Sequence, residues 1–237
     1  MNTRRKFLFS GSMATAALLT AKPFTTIANS LSPVTGFSFN NNSLVLAHTG
    51  NAIHTGTGLA VQQITKLKNS AANLILLHAG DTAPALQPLY DASMHAGESF
   101  SISAGDYKIV YKGDIKTGII TVNSKTNVAD KINALAVYLK KEKNCNLVVC
   151  LSQLGYKSET GLDDLALAAN STHLDIIIGG HATNFCKSPM TALNKNKEEV
   201  IINHAGTNGL AFRKIEIGFD NRGRKNQLAF TRTSLPA

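Results

Sequence analysis

Apolar positions along the chain show two kinds of spacing, which predict two kinds of secondary structure. Apolar residues recur at helical spacing in three segments, predicting helices that begin near Thr57, near Asn127 and at a capping box formed by Thr160 and Asp163. The alternation of such helices with strands is typical of an α/β domain. Short uninterrupted apolar runs predict the buried strands, at 43–48, 73–77, 147–151 and 175–178.

The remaining strands are predicted as antiparallel pairs. Tyr107 to Tyr111 and Thr117 to Val122 flank a Lys-Gly-Asp turn, which predicts a hairpin. The last third of the chain, 200–230, is predicted as antiparallel strands, with Ile215 and Ile217 pointing inward. Together with the strand–helix alternation, these strands predict one α/β domain with a mixed sheet.

Polar residues follow the predicted strands at their carboxyl ends, as at His48, Asp81, Gln153 and His181. The carboxyl edge of the strands is where α/β proteins usually carry their active sites. Converging oxygen and nitrogen donors are what a divalent metal needs, and such a metal activates water for attack on phosphate esters. These strand ends therefore predict a metal-dependent hydrolytic site.

Five segments carry a resemblance to a known family, and they are 46–51 (Leu-Ala-His-Thr-Gly-Asn), 76–81 (Leu-Leu-His-Ala-Gly-Asp), 115–120, 148–155 and 176–181 (Ile-Ile-Ile-Gly-Gly-His). In order and spacing they resemble the calcineurin-like metallophosphoesterases, specifically the secreted 5′-nucleotidase and UDP-sugar hydrolase branch. The resemblance implies a layered α/β/β/α sandwich with mixed sheets. It also implies metal-dependent hydrolysis of phosphate esters.

Only part of the ligand set that the resemblance implies is present. Asp81 corresponds to the bridging aspartate of the family, and His181 to the first histidine of its closing pair. Asn51 stands where the family has an aspartate, and Gln153 where it has a histidine. His54 lies one residue after the position of another family histidine. Asp81 and His181 are thus the main metal candidates, and the other three are secondary candidates.

Other family positions are missing. The second closing histidine is replaced by Thr183, and the family's Gly-Asn-His-Glu motif has no counterpart, so no catalytic residue is assigned. Neutral carboxamides lack the charge that offsets removal of a dication from water. A two-metal centre is therefore not expected, and at most one divalent ion, zinc, manganese or a similar metal, is compatible with the remaining ligands.

Three functions are compatible with this pattern. The first is an exported, catalytically impaired 5′-nucleotidase-like domain that acts as a binding or assembly subunit. The second is a one-metal or rewired phosphoesterase for nucleotides or other phosphate monoesters, with ligands from His54, His78, Asp81, His181 and His204. His204 is also a candidate for substrate binding, whereas a hydrogen-bonded core histidine is the favoured interpretation of His78. The third is an exported structural or carbohydrate-binding module.

The first 28 residues are predicted to be a twin-arginine signal peptide, because Arg4 and Arg5 precede a modest apolar stretch. That stretch is too short for a membrane span, which needs roughly 20 apolar residues. Cleavage is expected after Ala21 or Ala28. Residues 29–42 are predicted to be a tether and 43–237 the domain, which places the mature protein in the periplasm or outside the cell.

The net charge and the aromatic residues of the chain indicate which classes of partner are expected. The formal net charge of +9 would fall to +5 on loss of the four basic residues of the leader, and no interleaved aromatic residues accompany this charge. Nucleic acid is therefore not an expected partner. The family's nucleotidases add a C-terminal base-binding domain, and this sequence ends at Ala237. The expected partner is a separate chain that carries such a domain or an active nucleotidase.

Overall fold

The structure is a computed structural model. It describes residues 42–49, 57–71, 73–79, 92–93, 107–122, 128–158, 161–180, 188–204 and 211–234. The predicted leader, 1–28, and the predicted tether up to residue 41 lie outside the described residues. Four of the candidate ligands also lie outside them, and these are Asn51, His54, Asp81 and His181.

Within the described residues, the chain forms two mixed sheets and three helices. The strands are β1 Ser43–Thr49, β2 Leu74–His78, β3 Ala92–Ser93, β4 Tyr107–Lys112, β5 Ile115–Val122, β6 Leu147–Ser152, β7 Ile176–Gly179, β8 Met190–Leu193, β9 Glu199–His204, β10 Ala211–Phe219 and β11 Lys225–Ser234. The helices are α1 Thr57–Ser70, α2 Ala129–Lys141 and α3 Asp164–Asn170.

The first sheet has the strand order β11-β10-β1-β2-β3, and the second sheet has the order β4-β5-β6-β7-β9-β8. In the first sheet β1, β2 and β3 are parallel, and the β10–β11 hairpin joins β1 in antiparallel register. In the second sheet β5, β6, β7 and β9 are parallel. The parallel strands of each sheet therefore end at a common edge.

The two sheets pack face to face because alternate residues of each strand are apolar and point toward the other sheet. Leu46 of β1 and Ile215 of β10 share one buried cluster with Val149 and Ile178 of the second sheet. Ile215 and Ile217 are fully buried, as the alternation predicts. At the carboxyl ends of the strands, the next inward-facing side chains in the same alternation therefore close this inter-sheet core.

Helices cover the outer face of the second sheet. Ile132, Ala136 and Leu139 recur along α2 and are buried against Val148 and Cys150, which confirms the predicted helical face. Strands such as β6 and β7 are covered on both faces, which explains their uninterrupted apolar sequence. The helix α1 connects the parallel strands β1 and β2. The predicted layered α/β sandwich with mixed sheets is thus confirmed.

Three details of the sequence prediction are corrected. The last third is not purely antiparallel, because β9 pairs in parallel with β7 and is buried along almost its whole length, as a central strand of a parallel sheet is. The short strands β3 and β8 were not predicted. The N-cap of α3 is Asp163, whose carboxylate accepts a hydrogen bond from the Ala166 N–H at 2.7 Å.

Two cysteines lie in the described part of the chain, and both are buried and free. Burial raises the pKa of the Cys150 thiol well above its ordinary value, and the charge of Asp164 adds to that rise. The thiol is therefore unreactive, as expected for a small core residue. None of the described helices has the length and apolar character needed to cross a membrane.

An ion-pair network at the amino end of β7 joins four elements. The Asp175 carboxylate lies 2.8 Å from Lys140 Nζ of α2 and 3.4 Å from Lys225 Nζ of β11, and it accepts a 2.8 Å hydrogen bond from the Val148 N–H. Burial alone raises the pKa of this carboxyl, but Lys140, Lys225 and the hydrogen bonds outweigh burial and leave the pKa below its ordinary value. The carboxylate therefore stabilises the fold in its charged form.

We expect an Asp175→Asn variant to have a lower melting temperature than the wild type at pH 7. Because the pKa of Asp175 is lowered on folding, its contribution is fully present above about pH 4, the unfolded value, and is lost as the pH falls through the folded value. The difference in melting temperature should therefore shrink below about pH 4. Thermal unfolding followed by circular dichroism between about pH 2.5 and about pH 8 measures this. Asp114→Asn, in the exposed β4–β5 turn, is the control and should change little.

Candidate functional site

Polar side chains lie at the carboxyl ends of the parallel strands in both sheets. In the first sheet Thr49 of β1 is in register with His78 of β2. In the second sheet Ser152, Gly179 and His204 follow one another across β6, β7 and β9. This buried polar edge is where an α/β fold is expected to carry its site.

One polar group closes the inter-sheet core at this edge. His48 of β1 lies directly opposite Arg213 of β10, and both continue the alternation of the core residues Leu46 and Ile215. The Arg213 Nη1 donates a 3.1 Å hydrogen bond to Asn203 Oδ1, which bridges the first sheet to β9 of the second. Relative exposures of 0% for His48, 4% for Arg213 and 1% for Asn203 show that the whole group is buried.

Burial and the neighbouring guanidinium lower the pKa of the His48 imidazole. The pKa of His48 falls to about 3, first because of burial and then because of the positive charges of Arg213, His204 and His78. The imidazole is therefore neutral at physiological pH. Neither of its ring nitrogens has a hydrogen-bond partner among the described residues. A fully buried imidazole in this state is unusual, since buried polar atoms are nearly always paired.

A second polar group lies on the helix side of the second sheet. Asp164, the first residue of α3, accepts a hydrogen bond from Ser152 Oγ through Oδ1, and its Oδ2 lies 2.7 Å from His204 Nε2. The latter is an ion-pair distance, although the ring N–H does not point along the line to the oxygen. The ring of Tyr156 meets the His204 ring edge-on, with centroids 6.0 Å apart. The group ties β6, β9 and α3 together.

The ring of His204 occupies the space above Gly179 on the neighbouring strand. A Cβ atom built on Gly179 would fall far closer to the His204 ring nitrogen Nε2 than real Cβ contacts allow, at 2.3 Å. The absence of a side chain at this point of β7 is therefore what lets His204 reach Asp164. The two-glycine ending of β7 thus has a packing role in addition to forming a turn.

His78 is a buried, hydrogen-bonded histidine. Its side chain is fully buried, and its Nδ1 lies 2.6 Å from Thr49 Oγ1 in a hydrogen bond between β1 and β2. This confirms the interpretation of His78 as a hydrogen-bonded core residue. Because successive side chains of a strand point to opposite faces, His78 lies on the face of the first sheet opposite to the core residue Leu77.

Besides His78, the structure describes the candidate site residues Gln153 and His204. Gln153 follows β6 directly, its side chain is half-buried, and its backbone N–H donates a 2.9 Å hydrogen bond to Val122 O. His204 is fully buried beside Asp164, so its ring faces α3. The assignments of Gln153 to metal binding and of His204 to substrate binding remain predictions, as do those of the four candidates outside the described residues.

Sequence reasoning missed Arg213 and Asp164. Arg213 could have been found from the alternation of its strand, because it stands two residues before the buried Ile215 and so shares its inward-facing side. A charged residue at such an inward-facing position is exceptional. Asp164 gave no comparable signal, since acidic residues are common in the first turn of a helix.

The described residues by themselves contain no candidate metal centre, and four of the candidate ligands lie outside them. No group of three or more His, Cys, Asp or Glu side chains within them could hold a metal ion. The described side chains that close the inter-sheet core at this edge are an imidazole, a carboxamide and a guanidinium, whereas a pair of dications requires anionic ligands. The guanidinium is always charged, so it would repel cations placed beside it.

No protein-family model matches this chain, and no similar sequence was found among curated proteins. The fold is similar to that of the 5′-nucleotidase precursor of Thermus thermophilus, with a TM-score of 0.63 and 19% identity over 81% of this chain and 54% of the other. It is also similar to the NAD nucleotidase of Haemophilus influenzae, with a TM-score of 0.58 and 15% identity over 80% and 49% of the two chains. This chain therefore spans about half the length of either protein.

A third similar structure is a putative 5′-nucleotidase from Staphylococcus aureus, with a TM-score of 0.55 and 11% identity over 81% of this chain and 54% of that one. Identities this low establish the fold alone. The chain has the fold that these nucleotidase structures share, which confirms the layered α/β fold that the sequence resemblance implies.

Proposed function

We propose that this chain is a metallophosphoesterase-fold protein that has lost two-metal catalysis and acts, after export, as a phosphate-binding or assembly subunit. The observation that carries the proposal is the buried Arg213 guanidinium, which lies between the sheets at the carboxyl edge of the strands. The sequence supports it, because Asn51, Gln153 and Thr183 replace charged or imidazole ligands of the family.

Electrostatics favours this function over two-metal catalysis. A single positive charge about 6 Å from a dication raises its free energy by roughly 5 kcal/mol at an effective dielectric constant of about 20. Two-metal sites offset the repulsion between their own ions with anionic ligands. Carboxamides in place of those ligands, beside a buried guanidinium, therefore weaken the binding of two cations.

Export and partnership are parts of the same proposal. The twin-arginine pattern at Arg4 and Arg5 and the apolar stretch that follows support delivery to the periplasm or the exterior. The proposed partner is a separate nucleotidase chain, or a chain that carries a nucleotidase C-terminal domain. Co-purification of the exported protein with such a chain tests this part.

The catalytic part is tested by turnover measurements on the purified chain. We expect less than about 0.01 turnovers per second on AMP, UDP-glucose or p-nitrophenyl phosphate with added Mn²⁺, Zn²⁺ or Co²⁺, against a typical enzyme range of about 1 to 1,000 per second. The 5′-nucleotidase of Thermus thermophilus, assayed in parallel, is the positive control. Unchanged values after treatment with EDTA would exclude a slow metal-dependent reaction.

Metal-dependent turnover at about 1 per second or faster would contradict the proposal. It would favour the one-metal or rewired phosphoesterase, in which His54, Asp81 and His181 are three of the candidate ligands. Replacing each of these three residues with alanine would then abolish the activity, whereas Arg213→Gln would preserve it.

A further inference from the structure

We propose that the outer edge of the second sheet is a docking surface for an acidic, extended segment of a partner protein. The surface consists of strand β4 with the side chains of Tyr107, Tyr111, Lys116, Tyr138 and Lys143, and we call it the β4 surface. The partner segment adds a strand beside β4. This inference rests on the assembly role in the proposed function and specifies where the partner binds and which chemistry it carries.

The first argument is the open edge of the sheet. Strand β4 is the last strand on its side of the second sheet, and among the described strands it pairs with β5 alone. Alternate residues of a strand direct their N–H and C=O groups to opposite sides, so half of those groups in β4 point away from β5. Such an edge is a template for one further strand, and main-chain hydrogen bonds give that strand its affinity.

The second argument is a cluster of tyrosine and lysine side chains on the helix side of this edge. The rings of Tyr107 and Tyr138 meet with centroids 5.6 Å apart, and Lys143 Nζ lies 5.2 Å from the centre of the Tyr138 ring. The hydrogen bond with Tyr138, followed by the nearby phenols of Tyr107 and Tyr111, raises the pKa of Lys143 above its ordinary value. The fold thus gathers three rings near one ammonium group.

Tyr111 is the anchor of the β4 surface. Its side chain is 63% exposed, the highest value among the large apolar side chains that the structure describes. Lys116 lies directly opposite it in the β4–β5 register, and the ammonium group is 5.5 Å from the centre of the ring. Tyrosine is enriched at interfaces because it buries a large area with few rotatable bonds. A ring already held beside a lysine loses little further freedom when a partner covers it.

The third argument is the charge of the surface. Segment 107–122 carries three lysines and one aspartate, and segment 138–146 carries three lysines and one glutamate, a net charge of +4 for the two together. This charge attracts carboxylates at alternate positions of an added strand. It also opposes pairing of β4 with the β4 strand of a second copy, since lysines on an edge strand disfavour self-pairing. The observations therefore favour an acidic partner over a homodimer.

The test is calorimetric titration of the purified full chain with a synthetic peptide of alternating glutamate and threonine. We expect saturable binding that salt weakens, and no binding of a matched peptide of alternating lysine and threonine. Tyr111→Ala should weaken the binding at least about fivefold, and the double variant Lys116→Gln/Lys143→Gln at least about tenfold. Phe230→Ala on β11 and Lys131→Gln on α2 replace exposed residues of the same two kinds elsewhere, and these controls should bind like the wild type.

A second measurement does not depend on how the variants fold. In the wild type, the acidic peptide should slow hydrogen exchange of backbone amides in β4 and leave those of β11, the outer strand of the first sheet, unchanged. A single-stranded oligothymidylate serves as the competing ligand, because lysines with tyrosine rings also bind nucleic acid. We expect it to bind more weakly than the peptide, since it makes no main-chain hydrogen bonds with a strand edge.

Four outcomes would overturn the inference. They are no saturable binding of the acidic peptide, equal binding of the basic peptide, tighter binding of the oligothymidylate, and wild-type affinity in both the Tyr111→Ala and the double lysine variants. A concentration-dependent dimer that Tyr111→Ala abolishes would also overturn it, in favour of a second copy as the occupant.

These outcomes are separate from the tests of the proposed function. Lys116 precedes Thr117, which pairs with the first residue of β6, so this part of the β4 surface lies at the amino end of the parallel strands, opposite to the candidate site. A chain that turns over no substrate and binds no acidic peptide would refute the β4 surface alone. Co-purification with a nucleotidase chain that persists in the Tyr111→Ala and double lysine variants would refute the surface and leave the assembly role intact.

Discussion

An Asp164→Ala variant is expected to lose about 3 kcal/mol of its free energy of unfolding. Asp164 is fully buried, and its two carboxylate oxygens contact Ser152 Oγ and His204 Nε2. Truncation to alanine therefore removes one contact from each of two buried groups, Ser152 Oγ and His204 Nε2. Each such loss costs about 1–3 kcal/mol. Urea denaturation followed by circular dichroism measures the change.

Two further variants make the Asp164 result specific. Asp164→Asn keeps an oxygen that accepts the hydrogen bond from Ser152 but places an amide NH₂ group beside the His204 ring. We therefore expect an intermediate loss of free energy of unfolding. Asp114→Ala, in an exposed turn, should stay within about 0.5 kcal/mol of the wild type. A loss of less than about 1 kcal/mol for Asp164→Ala would show that the buried group contributes little to the fold.

The second large effect is expected at Gly179, where an alanine should destabilise the protein by about 2 kcal/mol or more. The new Cβ would clash with His204 Nε2. The ring cannot move away freely, because it is fully buried, with Tyr156 edge-on to it and Asp164 at 2.7 Å. The melting temperature and the urea midpoint report the loss.

A double-mutant cycle identifies the cause of the Gly179 effect. If the clash with the His204 ring is responsible, Gly179→Ala should cost much less in a His204→Ala background than in the wild type. Equal costs in the two backgrounds would instead point to the backbone of β7 as the source of the strain. The cycle therefore separates a steric role of the glycine from a conformational one.

Much of the fold could be predicted from the sequence because many strands are buried on both faces. Such strands leave uninterrupted apolar runs, as at 147–151 and 176–178, and these runs are easy to recognise. The short strand β8 was missed because three of its four residues, including Met190 and Leu193, are exposed and give no alternation. The direction of β9 could not be predicted, since pairing depends on contacts far away in the sequence.

The sequence predicted where the candidate site lies but not which side chains meet there. Polar residues after apolar runs marked the carboxyl edge of the strands correctly, as His48 and Ser152 show. The function of that edge depends on which side chains meet across the two sheets, and this is set by register. Arg213 meets His48 because β10 returns beside β1, a pairing between the two ends of the domain that no local pattern reveals.

This same pairing of β1 with β10 affects how the chain folds during its synthesis. The first sheet combines strands made at the start of the domain with strands made at its very end, and the whole second sheet is synthesised in between. The apolar face that carries Leu44 and Leu46 therefore leaves the ribosome well before its antiparallel neighbour has been translated. Contacts between segments so far apart in the sequence slow folding, and the partly folded intermediates expose apolar surface that is prone to aggregate. We expect the nascent protein to need chaperone protection until β10 and β11 have emerged from the ribosome.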